Sequence, residues 1–205
     1  MTNMKSKVFL IGGTPGAGKT TLSTALANRL GIASLDVDDL VTAAVAITTP
    51  TTHPGIHAMR KIPHVAYFTN SSVAELKADA NARHEATWPM VTAVIRKYVQ
   101  RGSSIVINGW HLRPAWTHEL ALENICTNWI VISPTVLEAR ERSNFAWFEA
   151  SPQPEKMFAN FMGRSLWYNE LIQKQARELN MNILAQDGQT SVEALCDMVL
   201  ARVAG

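Results

Sequence analysis

The chain has 205 residues, 47% of them hydrophobic and 18% charged, with a net charge of +2. That composition supports one compact domain with a sizeable core and argues against disorder, and so small a charge gives no argument for nucleic-acid or membrane binding. The two cysteines, Cys126 and Cys196, match no metal spacing and imply no disulfide framework.

Lys5 and Lys7 precede the apolar stretch Val8–Ile11, which is too short for a secretory signal or a membrane span before it meets glycines. A soluble, cytoplasmic protein is expected. Lys7–Ile11 reads as a buried parallel strand. Leu22, Leu26 and Leu30 then mark a helix that stops at Gly31. Ile32–Asp36 is a second strand, followed by a helical segment near Asp39–Ala46 and a loop at Thr48–Gly55. The next long helix carries Val91, Val94, Ile95 and Tyr98 and closes at Gly102, with Pro89 predicting a start or a kink near Thr87. Ser104–Asn108 and Asn128–Ile132 are two more strands. A helical stretch covers roughly Glu155–Asn180, Asn182–Ala185 is a fifth strand, and Thr190 with Glu193 predicts a capping box for the last helix. Strands alternating with helices predict a three-layer α/β fold, a five-stranded parallel sheet with helices on both faces. The glycine-rich segment Gly13–Thr20 between the first strand and the first helix makes this the P-loop NTPase fold, expected with a helical lid.

The strongest signal is Gly13-Thr14-Pro15-Gly16-Ala17-Gly18-Lys19-Thr20, a complete G-x-x-x-x-G-K-[ST] between a strand and an amphipathic helix. Glycines there let backbone N–H groups turn inward around phosphates, and the helix N-terminus adds its positive end. These eight residues, with Thr21 behind them, are the candidate nucleotide site for ATP. Lys19 is expected on the β- and γ-phosphates and Thr20 on Mg²⁺.

No Asn-Lys-x-Asp segment is present to read guanine, and the strand Ser104–Asn108 ends in Asn108 where a motor or AAA-type ATPase carries Asp. The second strand instead ends in Asp36-Val37-Asp38-Asp39. One carboxylate is expected to hold Mg²⁺ through water and the other to take the proton of a substrate hydroxyl. Asp36 is placed with Thr20 on the metal side and Asp38 on the acceptor side, with the division between them open. The alternative makes Asp38 a helix N-cap and Asp39 a first-turn acid.

Together, the phosphate loop, Asp36-x-Asp38 and Ile107-Asn-Gly-Trp-His-Leu-Arg-Pro114 resemble the adenylate-kinase-like P-loop small-molecule kinases. The third segment is similar to a strand end of 2-phosphoglycerate kinases, Glu-Gly-Val-His-Leu-x-Pro. Asn108 stands where that family has Glu, and Trp110 where it has a small residue. The resemblance implies a phosphotransferase acting on a small-molecule acceptor, with neither nucleic acid nor membrane as partner, and a homodimer is compatible with it.

Beyond the strand ends lie Asn108, Trp110, His111 and Arg113, the candidate acceptor contacts. His111 is alternatively a satisfied hydrogen-bonding residue of the loop. Residues 48–80 are the expected acceptor-binding insert, where His53, His57, Arg60, Lys61 and His64 cluster and Arg60 is the foremost candidate. Residues 140–164 are the expected lid, broken at Ser151-Pro-Gln-Pro154 and flanked by Arg140, Arg142 and Arg164, the last also a candidate acceptor contact. Arg140 and Arg142 do not share a helix face, and the resemblance favours Arg142 as catalytic alongside Lys19, Asp36 and Asp38. Surface pairing of Arg142 with Glu138 or Glu141 is the alternative. Two other functions stay open: a kinase of a nucleotide, nucleoside-linked sugar or antibiotic, and a nucleotide-binding regulator or slow ATPase without an acceptor.

Overall fold

The structure, a computed structural model, describes residues 7–60 and 62–204. Lys5 and Lys61, noted above, lie outside the described residues. Five strands form one parallel sheet: β1 (Val8–Gly13), β2 (Ala33–Asp36), β3 (Ile105–Asn108), β4 (Ile125–Ile132) and β5 (Asn182–Gln186), in the order β2-β3-β1-β4-β5. β1 sits at the centre and every one of its residues is buried, which is why its sequence is an uninterrupted apolar run. β2 is an edge strand, with Ala33 and Ser34 exposed.

Nine helices are present among the described residues. α1 (Lys19–Leu30) follows the phosphate loop and ends at Gly31, whose φ of 63° is the left-handed conformation a helix C-terminus favours. α2 (Val37–Ile47) leads into a loop, a 3-10 turn at Ala58–Arg60 and α3 (His64–Asn70). α4 (Val73–Arg101), α5 (Pro114–Glu119), α6 (Pro134–Ser143), α7 (Ala146–Glu149), α8 (Pro154–Glu178) and α9 (Val192–Ala204) complete the order. Residues 140–164, the expected lid, comprise the end of α6, α7 and the first turns of α8, with the expected break between the last two. The insert segment, 48–80, runs into the start of α4.

Three local expectations need correction. α4 starts at Val73, not near Thr87. Ser72 and Glu75 form a reciprocal capping box there, with Ser72 N donating to Glu75 Oε2 at 2.7 Å. Pro89 is accommodated inside the helix because it and Glu85 are exposed, so the Glu85 carbonyl that loses its N–H partner faces water. In α9 the cap is Ser191 rather than Thr190: Ser191 Oγ accepts from Ala194 N at 3.1 Å, and Thr190 N and Oγ1 donate to Asp187 instead. In α2 the cap is Asp36, not Asp38, because Asp36 Oδ1 accepts from Asp38 N at 2.9 Å. That shift of two residues leaves the Asp38 side chain free to face the site.

Strand register sets the site. Asp36 stands opposite Asn108, and Asn108 opposite Ile11, two residues before the phosphate loop. The carboxyl ends of β2, β3 and β1 thus open side by side into one crevice, the usual ligand position in an open parallel sheet.

Candidate functional site

The phosphate loop is built by backbone geometry first. Gly16 and Gly18 have φ of 78° and 95°, a region costly for any residue with a Cβ. A Cβ at Gly16 would also lie 2.5 Å from Glu141 Oε1. Gly18 caps α1 without a side-chain bond, and no acid occupies the first turn, so the free N–H groups of α1 remain open to an anion. Lys19 Nζ donates to the Thr14 carbonyl at 2.9 Å, folding its side chain back across the loop. Thr14 in turn donates from Oγ1 to the carbonyl of Ser165 in α8, at 2.7 Å. Burial lowers the Lys19 ammonium to about 8, an effect that nearby Asp38 and Asp36 partly offset. Pro15 lines the neighbouring cavity, Ala17 is buried and Thr21 is exposed on the first turn.

On one side of Lys19, three oxygen-bearing side chains converge. Thr20 Oγ1 lies 3.3 Å from Asp36 Oδ2 and 3.4 Å from Asn108 Oδ1. Neutral and anionic oxygens at the mouth of a phosphate loop fit Mg²⁺, which keeps waters and takes few protein ligands. Among the described residues, no group of three His, Cys, Asp or Glu side chains could enclose a metal. Asn108, expected on the acceptor, is therefore placed with this oxygen cluster, its amide also reaching the Leu35 carbonyl at 3.5 Å.

On the other side, a cavity of about 310 Å³ opens between Lys19 and the α3–α4–α8 layer. Asp38, Trp110 and His111 line its inner wall; Arg60, Arg83 and Arg164 line the rest. Partial desolvation in the crevice and neighbouring Asp36 raise the Asp38 carboxyl above its ordinary value, opposed by Lys19, Arg83 and the Trp110 indole. Arg164 is 4% exposed and its guanidinium stacks over Phe68, Trp110 and Phe161 at 4.6, 4.9 and 5.2 Å. Burial lowers it to about 10. Neither Arg164 Nε nor Arg83 Nε has a hydrogen-bond partner. Buried donors of this kind are costly unless a ligand satisfies them.

Arg83 was not among the sequence candidates. A signal was present: Leu76, Ala80, Arg83, Thr87 and Val91 fall at helical spacing on the buried face of α4, so a cation occupies an apolar stripe. His64 and Met59 also line the cavity, whereas His57 is buried against Thr48, at 3.0 Å, and His53 is exposed beside Thr52.

Two expected contacts are placed elsewhere. Arg113 turns away from the cavity: its Nε donates to His84 Nδ1 at 3.2 Å, an NH2 group donates to Asn81 Oδ1 at 2.6 Å, and the guanidinium stacks on Trp116. The reason is that Arg113 is the N-cap position of α5 and extends back toward α4. Arg142 is exposed, pairs with Glu155 at 2.8 Å and stacks on Phe158 at 3.8 Å. Arg140, on the opposite face of α6, donates to the Gly16 carbonyl at 3.0 Å. Of these two arginines, Arg140 is the one at the phosphate loop.

Residues 8–122 match a family model described as an AAA domain. A 2-phosphoglycerate kinase of Pyrococcus furiosus is 27% identical over 183 residues, which cover 86% of this chain. The chain spans 58% of the length of that curated relative. Among solved structures, shikimate kinase of Acinetobacter baumannii superimposes with a TM-score of 0.57 at 16% identity, over 98% of this chain and 93% of the other. A gluconokinase of Sinorhizobium meliloti gives 0.54 at 14%, with the same coverages. At such identities the last two establish a shared fold. α8 and the β4–β5 side lie outside the family match.

Proposed function

The chain belongs to the AAA domain family of P-loop proteins, and on that premise we propose that it is an ATP-dependent phosphotransferase acting on a hydroxyl of a small anionic molecule. The observation that carries this reading is the cavity beside Lys19, where one carboxylate, Asp38, faces three guanidiniums. Among the described residues, Arg60, Arg83 and Arg164 form no ion pair with a carboxylate. A neutral sugar or nucleoside could accept from Arg83 Nε and Arg164 Nε but would leave both guanidinium charges uncompensated, whereas a phosphate or carboxylate would supply acceptor and charge together. A regulator without an acceptor gives no reason for them.

In this mechanism the loop from Gly13 to Thr20 binds the nucleotide phosphates, and Lys19 carries positive charge to the transferring group. Thr20 and Asp36, with Asn108 beside them, would hold the cation, directly or through water. Mg²⁺ would supply neutralisation of the polyphosphate charge. Asp38 accepts the proton of the acceptor hydroxyl, and its raised basicity suits that role. Arg60, Arg83 and Arg164 hold the acceptor's anionic group. Residues 140–164 act as the lid, and Arg140, already bonded to Gly16, serves the phosphates in place of Arg142. 2-Phosphoglycerate, named in the curated relative, belongs to the acceptor class this cavity would take.

The test is ATP consumption by the whole protein with Mg²⁺ against separate pools of phosphorylated hydroxy acids, hydroxycarboxylic acids, neutral sugars, nucleosides and antibiotics. Lys19→Ala serves as the inactive control, and mass spectrometry identifies the phosphorylated product. Acceleration by an anionic pool supports the reading. Acceleration only by neutral sugars or nucleosides would refute the anionic acceptor, and slow hydrolysis indifferent to every pool would favour the regulator or slow ATPase.

A further inference from the structure

His111 is 1% exposed, and neither of its ring nitrogens has a hydrogen-bond partner, a costly state for a buried imidazole. It follows β3 on a tight segment whose Gly109 packs directly against Val37, the first residue of α2; a Cβ there would lie 2.7 Å from the Val37 side chain. That contact brings the loop against the turn of α2 bearing Asp38. His111 Nδ1 stands 3.6 Å from Asp38 Oδ1, slightly beyond bonding distance. The Asp38 side chain is 65% exposed, so a small rotation closes the gap.

The surroundings decide the state of the ring. Arg83 and His84 from α4, Lys19 from α1 and Arg113 from its own segment surround His111, and Asp38 from α2 is the acid beside it. Burial and these cations lower the imidazolium to about 3, so the ring is neutral at physiological pH. A neutral imidazole has one donor and one acceptor nitrogen. His84 shows the complementary arrangement: its Nδ1 accepts from Arg113 at 3.2 Å, which puts its proton on Nε2. The His84 ring lies 4.8 Å from that of His111 and braces it.

We propose that His111 carries its proton on Nδ1, donates it in a hydrogen bond to the Asp38 carboxylate, and so is the positioning residue that aims this carboxylate across the cavity. Trp110 lines the same cavity beside this carboxylate, so two consecutive residues after β3 flank one acid that would otherwise rotate freely on an exposed helix turn. His111 touches neither phosphate nor acceptor in this role. The inference rests on the reading of Asp38 as the base, and the two fail separately.

The test is a long-range ¹H–¹⁵N spectrum of the whole, ligand-free protein with ¹⁵N-labelled imidazoles at pH 7. The expected result is a neutral His111 with its proton on Nδ1. Asp38→Asn should move that proton upfield and speed its exchange with water, while Asp39→Asn, an exposed acid one position on, should leave it in place. A proton on Nε2, an imidazolium, or an Nδ1 resonance indifferent to Asp38→Asn would overturn the proposal. The first readout uses the unmutated chain, so it survives any folding defect in the variants. Normal turnover by Asp38→Asn would remove the base and leave the hydrogen bond, whereas a lost Nδ1 bond with an inactive Asp38→Asn would do the reverse.

Discussion

At the scale of single residues, the site is a contest between burial and charge. Lys19 is held at about 8 in the ligand-free chain. A depressed lysine is cationic below that value and loses its charge as pH rises through it, while a bound polyphosphate favours the cation. Nucleotide binding at pH 8 is therefore expected to take up about half a proton at Lys19. Calorimetry in buffers of differing ionisation enthalpy measures this uptake, which should vanish in Lys19→Ala. Asp38→Asn is expected to lower kcat by about 100-fold or more while changing the Kd for ATP by less than about threefold, since a general base acts in the transition state. The two arginines of α6 separate cleanly. Arg140→Ala removes a donor to the Gly16 carbonyl and should lower kcat/KM for ATP by about tenfold, as expected for a charge-assisted contact. Arg142→Ala breaks an exposed pair with Glu155 and should change it by less than about twofold. Equal losses in both variants would argue against Arg140 as the phosphate-side arginine.

At the scale of elements, long helices build the cavity beside Lys19 and short turns place the polar groups around it. α4 contributes Arg83 from its buried face and α8 contributes Arg164, while the phosphate loop grips α8 through Thr14 and the Ser165 carbonyl. The two anchors of α4 are its Ser72–Glu75 box and Gly102, whose φ of 61° closes the C-terminus. Ser72→Ala should cost about 1 kcal/mol of stability, measurable as a lower denaturation midpoint, with little change in nucleotide affinity. The start of α4 was missed in the sequence because Pro89 is a strong local breaker signal, and its tolerance depends on which way one carbonyl faces. Conversely α1 was plain: its leucines, its glycine stop and the phosphate loop ahead of it are all local.

At the scale of the molecule, the sheet order makes one crevice from strands far apart in sequence. Asp36 and Asn108 are adjacent only because β2 and β3 pair in parallel, and Thr20 meets both because α1 begins beside them. A crevice built this way should be stabilised as a whole by its ligand. MgATP at about 100 times its Kd is expected to add ~2.7 kcal/mol of stability. Most of that gain should disappear with excess EDTA, as read by thermal unfolding; a gain indifferent to EDTA would argue against the Thr20–Asp36–Asn108 cluster as a cation site. The sequence by itself determined the parallel α/β architecture, the phosphate loop and the candidacy of Asp36 and Asp38, because strand runs, helical periodicity and glycine geometry act over a few residues. Only the tertiary structure decided that Asp36 caps α2 while Asp38 faces the cavity, that Arg83 joins Arg164 there, and that Arg113 and Arg142 point away. Those outcomes depend on which helix faces meet across the sheet and which side chains stay out of water, and long-range packing sets both.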